Sequence, residues 1–354
     1  MRSVHSFDEA MVGQLCRFLP LGRVNVAHAI KLQQSIASGR AGSHGTDSSH
    51  SIDTPRPYNR IMPELPDLSI LADSFSAALV GRTVAAAEAP GPLTVRGTPG
   101  ELQALVGQRL ERFYRRGKFL WLEFDRDRVV INAMLTGRLQ LAADPSAKRP
   151  AKTLFVLKFG TRAGGQPAGA AAWTAGASWI PADDATPEMR YRDPTQMGKV
   201  YLLPAGVERP VPGAVPEEAG PDADDPALSL DMWRDRIKRH PGELKNLLRN
   251  QEFVAGIGNA YSDEILHAAR LLPTRKRGTL APEEVDELYS ATLATLANAV
   301  AVLRERVPPK FETEVRDFLA VHYKGGQPCP RCGQRITQTE AGGFVTSYCR
   351  HCQH

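Results

Sequence analysis

CPRCGQRITQTEAGGFVTSYCRHC, residues 329–352, holds four of the chain's five cysteines. They form two C-x-x-C pairs, Cys329 with Cys332 and Cys349 with Cys352, separated by sixteen residues. Each pair puts two thiolates on one tight turn, and two such turns complete a tetrahedral zinc site. The spacing lies in the zinc-ribbon range. Four thiolates leave no open coordination position, so the expected ion is one structural Zn2+. The competing reading, four unliganded buried thiols, does not account for the spacing. Five cysteines in 354 residues are too few for a disulfide scaffold. They fit a reducing compartment, and the expected location is the cytoplasm.

Outward from this segment, the charge is uneven. Residues 232–354 carry net +4, residues 62–231 net −2 and residues 1–61 net +3, in a chain of net +5 and pI about 9.0. Lys324, Arg331, Arg335 and Arg350 surround the cysteines. A basic end of this kind suits nucleic acid. No run of about 18 apolar residues is present, so no membrane span is expected. The first residues lack a continuous apolar stretch, so no secretory signal is expected either.

Before the cysteines the pattern is helical. PEEVDELYSATLATLANAVAVLRER (282–306) sets Val285, Leu288, Leu296, Val300 and Leu303 along one face and predicts a long helix. LKNLLRNQEFVAG (244–256) predicts helix up to GIGN, and AYSDEILHAARLL continues beyond it. In FVAGIGNAYSDEIL (253–266), Gly256 and Gly258 allow a tight turn that leaves amides uncovered at the next helix. Such amides suit a phosphate. A plain helical corner with Asn259 as its cap fits the spacing equally well. VERPVPGAVPEEAGPDADDP (207–226) is acidic and Pro-rich, the natural boundary between domains.

The middle of the chain predicts strands at 83–89, 109–114, 118–124, 128–135, 138–142, 153–159 and 199–203, short runs broken by Gly, Pro and Asp. They favour an antiparallel sandwich or barrel. The Gly/Ala-rich stretch 160–179 reads as a mobile insertion. Leu68, Leu71, Ala72, Phe75 and Leu79 recur at helical spacing, with Pro66 in the first turn. Residues 39–57 read as disordered linker, and the scattered apolar residues of 9–37 allow one short helix.

Just before the first helix stands IMPELPDLS (61–69). Removal of Met62 would free Pro63 as a secondary amine, a nucleophile able to form an iminium ion with a sugar C1′. Glu64 could move the accompanying protons. The plain alternative is a proline opening a helix, with Glu64 complementing its dipole.

Taken in order, MPELPD, the β-rich middle, GIGNAYSDEIL and the four-cysteine finger resemble the formamidopyrimidine-DNA glycosylase/endonuclease VIII family of base-excision repair enzymes. The resemblance covers Met62 to the C-terminus. It implies an α+β multidomain chain: residues 62–206 as an N-terminal catalytic β-sandwich with flanking helices, a linker at 207–230, a helix–two-turn–helix domain at 231–320 and a zinc-finger β-hairpin at 321–354. Residues 1–61 would then be a disordered or mis-assigned extension: an artefact with Met62 the initiator, which the low-complexity run before Ile61 favours, a segment removed by processing, or the mark of an inactive protein.

The resemblance further implies a monomeric, bifunctional glycosylase and abasic-site lyase acting on damaged double-stranded DNA, which is bent with its lesion flipped out. Pro63 matches the nucleophile, Glu64 its adjacent acid, and Lys118 the lysine that reaches DNA beside the active site. Lys245 and Asn259 match residues holding the DNA backbone, and Glu264 an acid in the following helix. Leu135, Thr195 and Met197 fall where residues fill the gap left by the flipped base; Leu135 stands for a Met, and Thr195 and Met197 for an Arg and a Phe. Asp67 replaces a second Glu. Phe344 replaces a phosphate-binding Arg, which removes one charge-assisted bond to the DNA. These departures motivate the alternative of a lesion-binding protein with impaired catalysis.

Overall fold

The computed structural model describes residues 62–162, 173, 177–214 and 219–354. The expectations for 1–61 and for most of the 160–179 insertion lie outside them.

Helix α1 spans Leu65–Leu79 and buries the apolar face that its spacing predicts, including Leu68, Leu71, Ala72, Phe75 and Leu79. The strands that follow are β1 (Arg82–Glu88), β2 (Val95–Arg96), β3 (Leu110–Arg116), β4 (Phe119–Phe124), β5 (Arg128–Asn132), β6 (Arg138–Ala142), β7 (Thr153–Arg162), β8 (Glu188–Arg192) and β9 (Lys199–Leu203). A short helix, α2, covers Pro99–Gln103. One sheet has the order β2-β9-β5-β4-β3, the other β1-β7-β8-β6. All pairings are antiparallel except that of β2 with β9. Leu120, Leu122, Val129, Ile131 and Leu202 from the first sheet share one core with Phe155, Leu157, Met189 and Tyr191 from the second. Two sheets closing on one apolar layer make the expected sandwich.

The sequence pattern misses β8, because EMRYR carries three charges. In the fold Glu188 and Arg190 are 0% and 1% exposed and pair at 2.7 Å, with Arg149 bonding Glu188 from outside. Buried charges of this kind persist only when paired and hydrogen-bonded.

The helical body comprises α3 (Leu230–Arg239), α4 (Leu244–Arg249), α5 (Asn259–Ala268) and α6 (Pro282–Arg306). It packs around Trp233, Phe253, Tyr261, Leu266 and Leu288. Helix α6 has the predicted bounds. Helix α4 is shorter than the predicted 244–256. Asn250 ends it by accepting the Glu252 N–H on its side chain at 3.0 Å, an Asx-type turn that competes with the helix. Among the described residues no helix is long and apolar enough to cross a membrane.

The stretch predicted as a linker is packed at both ends. Val211 and Ala214 are buried with Phe119 and Val130. Asp222 accepts the Gly117 N–H at 2.6 Å and pairs with Arg115 at 3.0 Å. The C-terminal hairpin pairs β10 (Thr337–Ala341) with β11 (Phe344–Tyr348).

Candidate active site and nucleic-acid interface

A cleft of about 620 Å³ opens between the sandwich, the α4–α5 corner and the C-terminal hairpin. Met62 and Glu64 line it from the start of α1, Lys118 from the two-residue β3–β4 turn, Leu135 from the β5–β6 loop, Arg249 and Asn259 from the corner, and Phe344 from the hairpin.

Glu64 is 1% exposed, and its carboxylate accepts N–H bonds from Gly258 at 2.6 Å, Ala260 at 2.8 Å and Tyr261 at 3.2 Å. These are the amides at the start of α5 that the sequence offers to a phosphate. They are instead satisfied by the chain's own carboxylate, as an anion at a helix N-terminus should be. Glycine is required at both turn positions. Gly256 has φ +98°, and a Cβ there would meet Leu65 at 2.7 Å; a Cβ on Gly258 would meet the Glu64 carboxyl carbon at 2.5 Å. Gly258 precedes α5 as its cap, so Asn259 is the first helical residue and not the cap.

Pro63 is buried between Met62 and Glu64 and lines a small recess with Asp67, Arg138 and Glu314. Asp67 accepts the Glu64 N–H at 2.9 Å and receives both guanidinium nitrogens of Arg316, at 2.7 and 2.5 Å. Arg316 also donates to the Tyr261 hydroxyl at 3.1 Å. Burial works against the Arg316 charge, but Asp67 outweighs it and holds the guanidinium above its ordinary range. Sequence reasoning misses Arg316, whose loop carries no motif; an Asp in place of a Glu at position 67 is the sole hint that a partner had to come closer.

Lys118 makes no hydrogen bond or ion pair with any described residue. Desolvation lowers its pKa, Glu64 works in the opposite direction, and Arg249 adds to the lowering. The turn that presents Lys118 is fixed by Asp222 through Gly117 and Arg115.

Lys245, which the resemblance assigns to holding the DNA backbone, is bonded within the chain. It is 5% exposed and bonds Asp263 at 2.6 Å and the Val345 carbonyl at 2.8 Å. A buried ammonium needs such partners, and they hold it inward. Asp263 also meets His322 Nδ1 at 2.8 Å and the Ser347 N–H at 3.0 Å. Asn259 Nδ2 donates to the same Val345 carbonyl at 2.9 Å, while its Oδ1 is buried without a partner among the described residues. The pair therefore anchors the hairpin to the helical corner. Glu264 repeats the Glu64 arrangement. It accepts the N–H groups of Ala320, Val321 and His322 at 2.6, 2.9 and 2.8 Å, and burial still raises its pKa.

The loops that carry Leu135, Thr195 and Met197 are bonded to one another. The Thr136 and Thr195 hydroxyls lie 2.6 Å apart, and Asp193 accepts from both and from the Gly198 N–H at 2.8 Å. That knot fixes the two loops together. Thr195 is exposed, Met197 is 44% exposed, and Leu135 faces the cleft.

The ligand sulfurs of Cys329, Cys332, Cys349 and Cys352 lie within 4.8 Å of one another, with Cys329–Cys352 at 3.9 Å and Cys332–Cys349 at 3.5 Å. Sulfurs about 2.3 Å from a tetrahedral zinc would stand about 3.8 Å apart, so the donor set fits that ion.

Three comparisons place the chain among known proteins. Residues 62–200 match the formamidopyrimidine-DNA glycosylase N-terminal domain, residues 219–307 the H2TH domain of the same enzymes, and residues 326–354 a zinc finger found in FPG and IleRS. A formamidopyrimidine-DNA glycosylase from Heliobacterium modesticaldum is 31% identical over 308 residues, spanning 82% of this chain and 100% of the relative. One from Geobacillus kaustophilus is 31% identical over 303 residues with the same coverage. A Lactococcus lactis Fpg solved in complex with abasic-site DNA shares the fold, with 23% identity, a TM-score of 0.68, and coverage of 82% of this chain and 99% of that one. From Met62 onward, then, the chain belongs to the formamidopyrimidine-DNA glycosylase family.

Proposed function

We propose that the protein is a bifunctional DNA glycosylase and abasic-site lyase of base excision repair, which removes oxidised bases such as 8-oxoguanine or formamidopyrimidines and then cuts the strand. The observation that carries the reading is the floor of the cleft. Glu64 is clamped there by three amides, one residue from Pro63, and Lys118, without a hydrogen-bond or ion-pair partner among the described residues, lines the same cleft. The family's curated members, which this chain matches along 99–100% of their length, support the same activity.

The nucleophile is the Pro63 nitrogen once Met62 is gone, because an amide nitrogen has no basic lone pair. That nitrogen bonds to C1′ as the bond from C1′ to the base breaks; the base leaves with the electron pair and takes up a proton. Opening of the sugar ring, with a proton to its oxygen, gives an iminium between Pro63 and C1′. Loss of a C2′ proton then expels the 3′ phosphate by elimination. Glu64 moves protons at the amine. Lys118 contacts the damaged nucleotide, while Leu135, Thr195 and Met197 occupy the gap it leaves. Lys245 and Asn259 act on DNA through the hairpin that they hold. One Zn2+ in the four-cysteine site would keep that hairpin folded. The protein works as a monomer on cytoplasmic DNA.

The test is borohydride trapping on duplex DNA with one abasic site. The form beginning at Pro63 should give a covalent adduct, and the full chain, with Pro63 in an amide, should not. Absence of an adduct from the Pro63 form, with salt-dependent binding retained, would instead establish a lesion-binding protein without catalysis.

A further inference from the structure

Arg249 closes α4 and has a position that no sequence motif explains. Its guanidinium carbon stands 4.0 Å from the centroid of the Phe344 ring, at the start of β11. Both side chains line the cleft beside Lys118 and Asn259. Among the described residues the guanidinium has no hydrogen bond and no ion pair. Most other arginines here do have such partners: Arg316, Arg138, Arg149 and Arg275 each pair with a carboxylate. The two acids in electrostatic reach of Arg249 already have other partners. Glu64 accepts three backbone amides, and Asp263 meets Lys245, His322 and the Ser347 N–H.

A planar cation resting on an aromatic face has one face covered and its N–H edge directed outward. That pre-sets the fork geometry which binds two oxygens of one anion. Burial of the group depresses its pKa, as expected when a charge is desolvated and left unpaired. An arginine keeps its proton under these conditions and gains most from an incoming anion. Phe344 is 47% exposed and too far out to be core packing, which leaves the guanidinium as its visible partner.

We propose that Arg249, held on the Phe344 ring, is a phosphate-binding residue that grips the DNA backbone at the flipped nucleotide. The inference rests on the DNA-repair reading above and deepens it. Arg249 supplies the charge and Phe344 its orientation, so the ring that takes one phosphate ligand away from the hairpin supports another on the helical body. The pair couples the two bodies through the ligand: the cation comes from α4 and its platform from β11.

The experiment measures binding of the full chain to duplex DNA bearing a tetrahydrofuran abasic analogue, across a range of salt. Arg249→Leu should flatten the slope of log K against log[salt] by about 0.9, the signature of one phosphate that the protein no longer neutralises. Phe344→Leu should leave that slope intact and weaken binding roughly fivefold, since it removes orientation without charge. Arg249→Lys should likewise keep the slope and lose affinity, and it serves if the leucine variant does not fold. A wild-type slope in Arg249→Leu overturns the proposal, as does wild-type affinity in both Phe344→Leu and Arg249→Lys. If neither the full chain nor the form beginning at Pro63 binds abasic DNA, the functional reading fails and this one with it. Strand cleavage by the wild-type form beginning at Pro63, beside an unchanged Arg249→Leu slope, defeats this one alone.

Discussion

The Glu64 carboxylate receives three backbone donors, so Glu64→Gln would set an NH2 group against N–H groups that need an acceptor. Charge-assisted bonds of this kind contribute about 1.5–3 kcal/mol each when broken singly, and one half of the amide can still accept. The expected loss is about 2–3 kcal/mol in urea unfolding. A fall in strand cleavage of roughly a hundredfold or more should accompany it, as for a lost proton-transfer group. Unfolding at the wild-type midpoint would show that the amides find other partners and that the clamp is not structural. The chemistry of this residue is legible in MPELPD, but its partners are not. Nothing in the sequence says that amides 194 to 197 residues away will meet this carboxylate.

The loop after α6 gives the element-scale test. Glu314 bridges it to β6, bonding Arg138 at 2.5 Å. Burial raises the Glu314 pKa from 4.5 to about 7, with Arg138 pulling the other way. A carboxyl whose folded pKa exceeds its unfolded one favours the fold while protonated. That contribution is complete below about pH 4.5 and is lost as pH rises through about 7. Glu314→Gln removes the titration. Relative to wild type, the variant should therefore gain stability, on the order of 2–3 kcal/mol, between pH 5 and pH 8. A pH-independent difference in urea unfolding would rule this out. Among the elements, α1 and α6 are legible because apolar spacing alone specifies them. Helix α3 is not, since LDMWRDRIKR buries only Trp233 and Ile237. Strand β8 hides because Glu188 and Arg190, on the face opposite its core residues Met189 and Tyr191, are charged yet buried. The same holds at the site: the cysteines are visible by their spacing and Pro63 and Lys118 through the family resemblance, whereas Arg316 and Arg249 acquire meaning only from Asp67 and Phe344 across the fold.

At the scale of the molecule, the cysteine site controls how the hairpin meets the cleft. Val345 takes Lys245 and Asn259 on its carbonyl, and Ser347 bonds Asp263, so a hairpin without its ion would release all three. Structural zinc sites contribute folding free energy directly. Stripping the ion with a strong chelator should release one zinc per chain and weaken abasic-DNA binding at least tenfold, because hydrogen bonds to charged groups and the grip on phosphate fail together. The near-ultraviolet signal of the sandwich tryptophans should persist. Unaltered DNA binding after complete zinc release would separate the hairpin from recognition.

Glu64 and Glu264 share one further consequence. Each carboxylate leaves one body and takes three amides of the next: Glu64 from the start of α1 to the α5 corner, Glu264 from α5 to the strap at 320–322. Pulling the bodies apart strands an acid and three donors at each joint, a far steeper cost than sliding apolar surfaces. Residues 62–354 should accordingly melt as one cooperative unit, with calorimetric and van't Hoff enthalpies in agreement, despite an architecture that looks divisible into three. On that expectation a hinge at either joint is disfavoured, and movement that admits DNA is expected from the tied loops at 133–136 and 193–198 and from the tip of the hairpin.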